Sequence, residues 1–160
     1  MKDLTKFYIN GQWVSPLAAN DLAVENPATE EIIATISLGA AGDVDAAVAA
    51  AKAAFPSYAQ VSVEERISLM ENLLKIYMDR YEEMSVAISM EMGAPISFAT
   101  AAQADCGRGH INAAIEALKK FEFERQIGNT RIVKEPIGVC GQHRSQWQQC
   151  APYRFQRMGS

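Results

Sequence analysis

A chain of 160 residues, 49% hydrophobic and 21% charged, has the composition of one ordinary globular domain rather than of a disordered polymer. Its net charge of −4 gives no reason to expect a nucleic-acid or anionic-membrane partner. Uncharged stretches such as Ile32–Gly42 are too short to span a bilayer.

Phe7-Tyr8-Ile9 and Trp13-Val14 flank Asn10-Gly11, which predicts a hairpin because Asn-Gly suits a type I′ turn. Leu22–Asn26 and Glu31–Ser37 read as two more strands, joined by a turn at Asn26-Pro27-Ala28-Thr29. Asp43 is placed as the N-cap of a helix over Val44–Phe55, with the apolar stripe Val44, Ala47, Val48, Ala51 and Phe55. Phe55-Pro56 is expected to end it. Ser62-x-x-Glu65 is a capping box before a long helical pattern. Its stripe of Ile67, Met70, Leu74, Tyr77, Tyr81, Met84 and Ile88 reads as core. That pattern is long for one helix, so a break is expected near Asp79–Glu82. Gly93 supplies a left-handed terminus and Pro95 prevents continuation. Ile96–Phe121 reads as a further helix, weakened by Gly107 and Gly109 by roughly 1 kcal/mol each relative to Ala. Asn129–Glu135 reads as a strand after a Gly128-Asn129 turn.

In order and spacing these motifs match one family. Phe7–Val14 resembles the opening hairpin of NAD(P)-dependent aldehyde dehydrogenases. Asn26-Pro27-Ala28-Thr29-Glu30-Glu31 resembles their Asn-Pro-Ala-Thr-Gly-Glu turn. Asp43–Phe55 is similar to their first helix, and Glu91-Met92-Gly93-Ala94-Pro95 to their Glu-x-Gly-x-Pro helix end. Arg131–Gly141 resembles the strand leading into the cofactor domain. The resemblance covers residues 6–141, and His110–Phe123 looks most like a bacterial branch with varied carbonyl substrates. It implies an α+β fold for the isolated chain: an N-terminal hairpin and strands, then a helix cluster. In the full family that cluster packs on a Rossmann-type α/β cofactor domain. The Asn129–Glu135 strand resembles part of the family's oligomerisation element.

The resemblance stops after Gly141. The family would continue with Ile-Thr-Pro-Trp-Asn, whose Asn is an oxyanion-hole donor; here the chain reads Gln142-His143-Arg144-Ser145-Gln146-Trp147. Composition changes at the same point. Residues 142–160 hold three Arg, no acid and five of the nine Gln, whereas residues 1–141 hold the other 12 Lys/Arg against all 19 Asp/Glu. Residues 1–141 are therefore expected to be a partial N-terminal segment of the family. Residues 142–160 are expected to be a basic, Gln-rich, disordered tail. An exon fusion, a changed reading frame or a cloning artefact would each produce such a break.

Catalysis in the family uses a Cys thiolate that attacks the aldehyde and an oxyanion hole. It also uses a nicotinamide on a Rossmann-type sheet and a Glu that activates water. Nearly all of these follow the position of Gly141, in chains roughly three times as long. Gln148-Gln149-Cys150-Ala151-Pro152 faintly resembles the Gly-Gln-x-Cys setting of the nucleophile. It lacks a preceding cofactor sheet and a Glu partner, so Cys150 reads as a bystander.

Cys106 reads as a small core or surface thiol, and Cys140, at a strand end, as a buried small residue. Three cysteines without short metal spacing fit reduced thiols in a cytoplasmic protein. No apolar run follows Met1–Lys6, so no secretory signal is expected. Cys106-x-x-x-His110 spans one helical turn, but two ligands are too few for zinc, with His143 the only other His. His110 reads as a half-buried helix residue. Gly107-x-Gly109 lacks the third glycine and the preceding strand of a dinucleotide fingerprint. Gly138-x-x-Gly141 reads as the entry to the first cofactor-domain strand. Arg144, Trp147, Tyr153, Arg154 and Phe155 have an RNA-binding composition, but with no fold around them they read as chance sequence.

No catalytic, cofactor-binding or metal-binding residue is assigned. No cofactor is expected for this chain alone, and NAD or NADP in the full-length family. Apolar helix faces without their sheet would favour self-association. Three functional readings follow: a family-derived chain without independent activity, a fragment that docks on an intact dehydrogenase subunit, or a damaged product without function.

Overall fold

The computed structural model describes residues 2–141. Strand β1 (Lys2–Leu4) opens it, followed by β2 (Phe7–Ile9) and β3 (Gln12–Val14). Asn10 (φ 51°) and Gly11 (φ 76°) both take left-handed backbone, as a type I′ turn requires. They fold β2 antiparallel onto β3, with Tyr8 opposite Trp13. Strands β4 (Asp21–Asn26) and β5 (Glu31–Ser37) fall where the sequence places them. Asn26 makes the turn between them. Its carbonyl accepts the Glu30 N–H at 2.8 Å and its side chain accepts the Ala28 N–H at 3.0 Å. β5 is the centre of a three-stranded sheet, antiparallel to β4 and parallel to β1. Lys-Asp-Leu carries no alternating pattern, so β1 was not visible in the sequence.

Helix α1 spans Ala41–Tyr58, which corrects both expected ends. Asp43 is not the N-cap but lies one turn in. Its Oδ2 reaches back to accept the Ala40 N–H at 2.9 Å, while Oδ1 accepts the Leu17 N–H at 3.0 Å. A carboxylate suits the helix dipole from either position. Pro56 does not stop the helix. It lies inside the last turn, and the Ala59 N–H still reaches the Phe55 carbonyl at 2.8 Å.

Helix α2 (Val63–Asp79) starts at the expected capping box. Ser62 Oγ accepts the Glu65 N–H at 3.1 Å, and Glu65 Oε2 accepts the Ser62 N–H at 3.0 Å. Arg80 breaks the pattern inside the expected window, and α3 (Tyr81–Met92) follows. Gly93 ends it at φ 66°. The expected helix over Ile96–Phe121 is instead three pieces: α4 (Ile96–Phe98), a π-helical segment (Ala99–Ala104) and α5 (Asp105–Lys120).

Strand β6 (Glu124–Ile127) turns through Gly128 and Asn129 into β7 (Thr130–Val133). β7 is shorter than the expected strand Asn129–Glu135. Its partner β6 lacks the apolar alternation that would announce it, and is tied to β7 by the Arg131–Glu124 ion pair. Residues 134–141 form no strand.

Mixed helices and small sheets bear out the α+β class. The buried apolar set among the described residues is small: Ala34, Ala99, Ala104 and Ile115. The α2–α3 stripe is only half-buried, and Met84 is exposed, so it is a seam rather than a closed core. Val44 and Val48 of α1 and Leu69, Leu73 and Ile76 of α2 are exposed. No helix among the described residues is long and apolar enough to cross a membrane.

The hydrogen bonds from Ser62 to Glu65 hold the Glu65 carboxyl below its usual 4.5. A lowered folded-state value means that this contribution is present above the unfolded value and is lost as pH falls through the folded one. Ser62→Ala therefore lowers the thermal midpoint most near neutral pH. The gap to wild type narrows on acidification through the carboxylate range, as followed by circular dichroism.

Candidate functional site

Chemistry-bearing side chains do not converge among the described residues. Cys106 and His110 lie one turn apart on α5, as their spacing requires, and both are exposed. The expected half-burial of His110 is thus corrected: its position on α5 faces outward. Beside Cys106, two hydrogen bonds from Arg108, at 2.7 and 3.0 Å, hold the Asp105 carboxyl below its ordinary value. The described residues contain no group of three or more His, Cys, Asp or Glu placed to hold a metal ion.

Cys140 is exposed, not buried. It lies in residues 135–141, which belong to no strand among the described residues and leave Ile137 92% exposed. Gly138 takes φ 114°, and added Cβ atoms at Gly138 or Gly141 would meet nothing within 4 Å. Cys150, His143 and the basic aromatic residues Arg144, Trp147, Tyr153, Arg154 and Phe155 lie outside the described residues, as does the expected tail.

Gly107 has a different role from the one its helix position suggested. A Cβ there would fall 2.4 Å from the Tyr77 hydroxyl oxygen. The glycine makes room for Tyr77, whose hydroxyl donates to the Ala104 carbonyl at 2.7 Å. Burial raises the Tyr77 phenol above its ordinary value. Gly109 faces open space.

A shallow, mostly apolar groove runs between the β2–β3 hairpin and α1, lined by Phe7, Tyr8, Ile9, Val44 and Ala47 with Lys6 and Asp43. Both Asp43 oxygens are engaged by backbone N–H groups, and Asp43 serves to hold the Leu17 loop on α1. Sequence reasoning also missed that two distant motifs meet. Gly93, at the end of α3, sits on the Asn26–Thr29 turn, and a Cβ on it would lie 2.9 Å from Pro27 Cγ and 3.0 Å from the Ala28 nitrogen. The Glu-x-Gly-x-Pro and Asn-Pro-Ala-Thr runs thus form a packing joint between sheet and helices.

Comparison with known proteins agrees with this framework. The aldehyde dehydrogenase family matches residues 13–143. A 3-succinoylsemialdehyde-pyridine dehydrogenase from Pseudomonas sp is 44% identical over 142 residues, 88% of this chain and 30% of that protein. An aldehyde dehydrogenase structure from Bartonella henselae shares 45% identity with a TM-score of 0.79, over 81% of this chain and 28% of that one. A variant of aldehyde dehydrogenase C from Pseudomonas syringae, complexed with NAD+ and octanal, shares 44% identity with a TM-score of 0.81. The match covers 83% of this chain and 27% of that one. The chain thus spans about 30% of the length of the curated relatives it matches.

The Gly93 joint is testable. Gly93→Ala adds a left-handed alanine, which costs about 1–2 kcal/mol, and a close contact with Pro27 and Ala28. The expected loss of unfolding free energy is about 2 kcal/mol or more, read from urea denaturation. Gly109→Ala, facing open space, is expected to be neutral or stabilising.

Proposed function

Because the chain belongs to the aldehyde dehydrogenase family, we propose that residues 1–141 are the N-terminal layer of an NAD(P)-dependent enzyme that oxidises an aldehyde to a carboxylic acid, and that these 160 residues alone turn over no aldehyde. The observation that supports this reading is coverage: the chain spans about 30% of the length of the curated relatives it matches. The largest sheet among the described residues has three strands with one parallel pair. Gly107-x-Gly109 lies inside α5, where the first glycine is occupied by Tyr77, and Gly138-x-x-Gly141 lies in chain without strand or helix. These residues do not fit a dinucleotide.

In the family, NAD(P) accepts the hydride. The groups that attack the aldehyde, stabilise the oxyanion and activate water belong to regions corresponding to none of the described residues. The contribution of this layer is structural: it supplies helices that present apolar faces to a further layer. The exposed Val44, Val48, Leu69, Leu73 and Ile76 support this reading. Exposed Cys106 and Cys140 suit a reducing cytoplasm.

A second reading is docking on an intact dehydrogenase subunit, favoured by the β6–β7 hairpin with both outer edges unpaired within the described sheet.

Purified protein incubated with aldehydes and NAD+ or NADP+ is expected to form no reduced cofactor above a heat-denatured control; turnover above that control overturns the proposal. Co-purification with a full-length dehydrogenase would support docking, and failure to bind at micromolar concentration would eliminate it.

A further inference from the structure

The π-helical segment Ala99–Ala104 is the least ordinary backbone among the described residues. Runs of π-helix are rare because they widen the helix and shift each hydrogen bond by one residue. Something outside the segment must favour that register.

Two tyrosines from the neighbouring helices reach it. The Tyr77 hydroxyl of α2 donates to the Ala104 carbonyl at 2.7 Å, and the Tyr81 hydroxyl of α3 donates to the Thr100 carbonyl at 2.6 Å. The two rings meet edge to face, with centroids 6.1 Å apart. The bonded carbonyls lie near opposite ends of the π segment. Ala99 and Ala104 are both fully buried. Residues five apart share a face of a π-helix, whereas in an α-helix they would diverge by about 140°. Gly107 leaves the space that the Tyr77 hydroxyl occupies. Ser85, 1% exposed, donates to the Tyr81 carbonyl at 2.9 Å and ties the Tyr81 backbone to the next turn of α3.

We propose that Tyr77 and Tyr81 form a two-hydroxyl clasp that holds residues 99–104 in the π register and so sets the facing of the preceding turn. Without the clasp the segment reverts to α-helical spacing. Removing one residue of register rotates the turn before it by about 100° relative to α5. Ile96 and Phe98, now 51% and 53% exposed, would then present a different face. The clasp is a conformational device: two hydroxyls decide which apolar side chains the Pro95–Ala99 corner shows.

The test is nuclear magnetic resonance on the full 160-residue chain. In wild type, backbone Hα–HN contacts across residues 99–104 are expected at i,i+5 spacing. In Tyr77→Phe/Tyr81→Phe, which keeps both rings, they move to i,i+4; retention of i,i+5 contacts overturns the proposal. Gly107→Ala, which displaces the Tyr77 hydroxyl without altering either tyrosine, is expected to shift the spacing in the same direction. The Tyr77 and Tyr81 hydroxyl protons should exchange at least tenfold more slowly than that of exposed Tyr8, and equal rates overturn the clasp.

Discussion

Close approach between backbones, rather than bulk, holds the helical half of this structure together. Among the described residues, those buried where the helices meet are small: Ala99, Ala104 and Ser85, with Ile115 the one large apolar member. Alanine and glycine bring the π segment and α5 near enough to α2 and α3 for two tyrosine hydroxyls to reach backbone carbonyls. Each such bond contributes about 1 kcal/mol net, and burying alanine contributes little more. The seam gains its specificity from fit: any side chain at position 107 would meet the Tyr77 hydroxyl.

That economy leaves apolar surface over. Leu69, Leu73 and Ile76 occupy one side of α2 at four- and three-residue spacing, each about half exposed. Covering them would contribute about 1 kcal/mol apiece. A second apolar face, on α1, includes Val44 and Val48. The aldehyde dehydrogenase structures that this chain resembles are more than three times its matched length, yet TM-scores near 0.8 persist over the shared part. The shared part therefore keeps the family's arrangement, and the exposed apolar faces support the proposed reading of this segment as one layer of a larger architecture.

Legibility in the sequence followed the range of the interaction. The Asn10-Gly11 turn, the Ser62–Glu65 box and the Gly93 terminus were readable because each depends on residues within a few positions. The end of α1 differs from the expected one because the helix runs through Pro56 to Tyr58. Asp43 was placed one turn early because a carboxylate serves a helix start from more than one position. The π segment was not readable at all: nothing between Ile96 and Asp105 announces it, and the groups that favour it come from Tyr77 and Tyr81. β1 and β6 were missed for a related reason, since Lys-Asp-Leu and Glu-Arg-Gln-Ile form strands by pairing with better-patterned neighbours. The candidate site followed the same rule. Its motifs identified the family, but the meeting of Gly93 with Pro27 and Ala28 required coordinates.

The run from Glu135 to Gly141 shows how recognition and structure separate. Its sequence carries much of the family resemblance, yet it is unpaired here, with Ile137 almost wholly exposed. A strand is not a property of its own residues. Its backbone N–H and C=O groups need a neighbouring ladder or water, and Val139 and Ile137 need a surface to face. Where capping is local, as at Ser62, family sequence and observed structure coincide. Where pairing is long-range, as after Val133, the family sequence remains legible although the element it would specify has no neighbour among the described residues. The motifs of this chain thus divide by what completes them. Those closed by neighbouring residues are complete in themselves, and those that depend on long-range pairing, such as Glu135–Gly141, stay unpaired among the described residues.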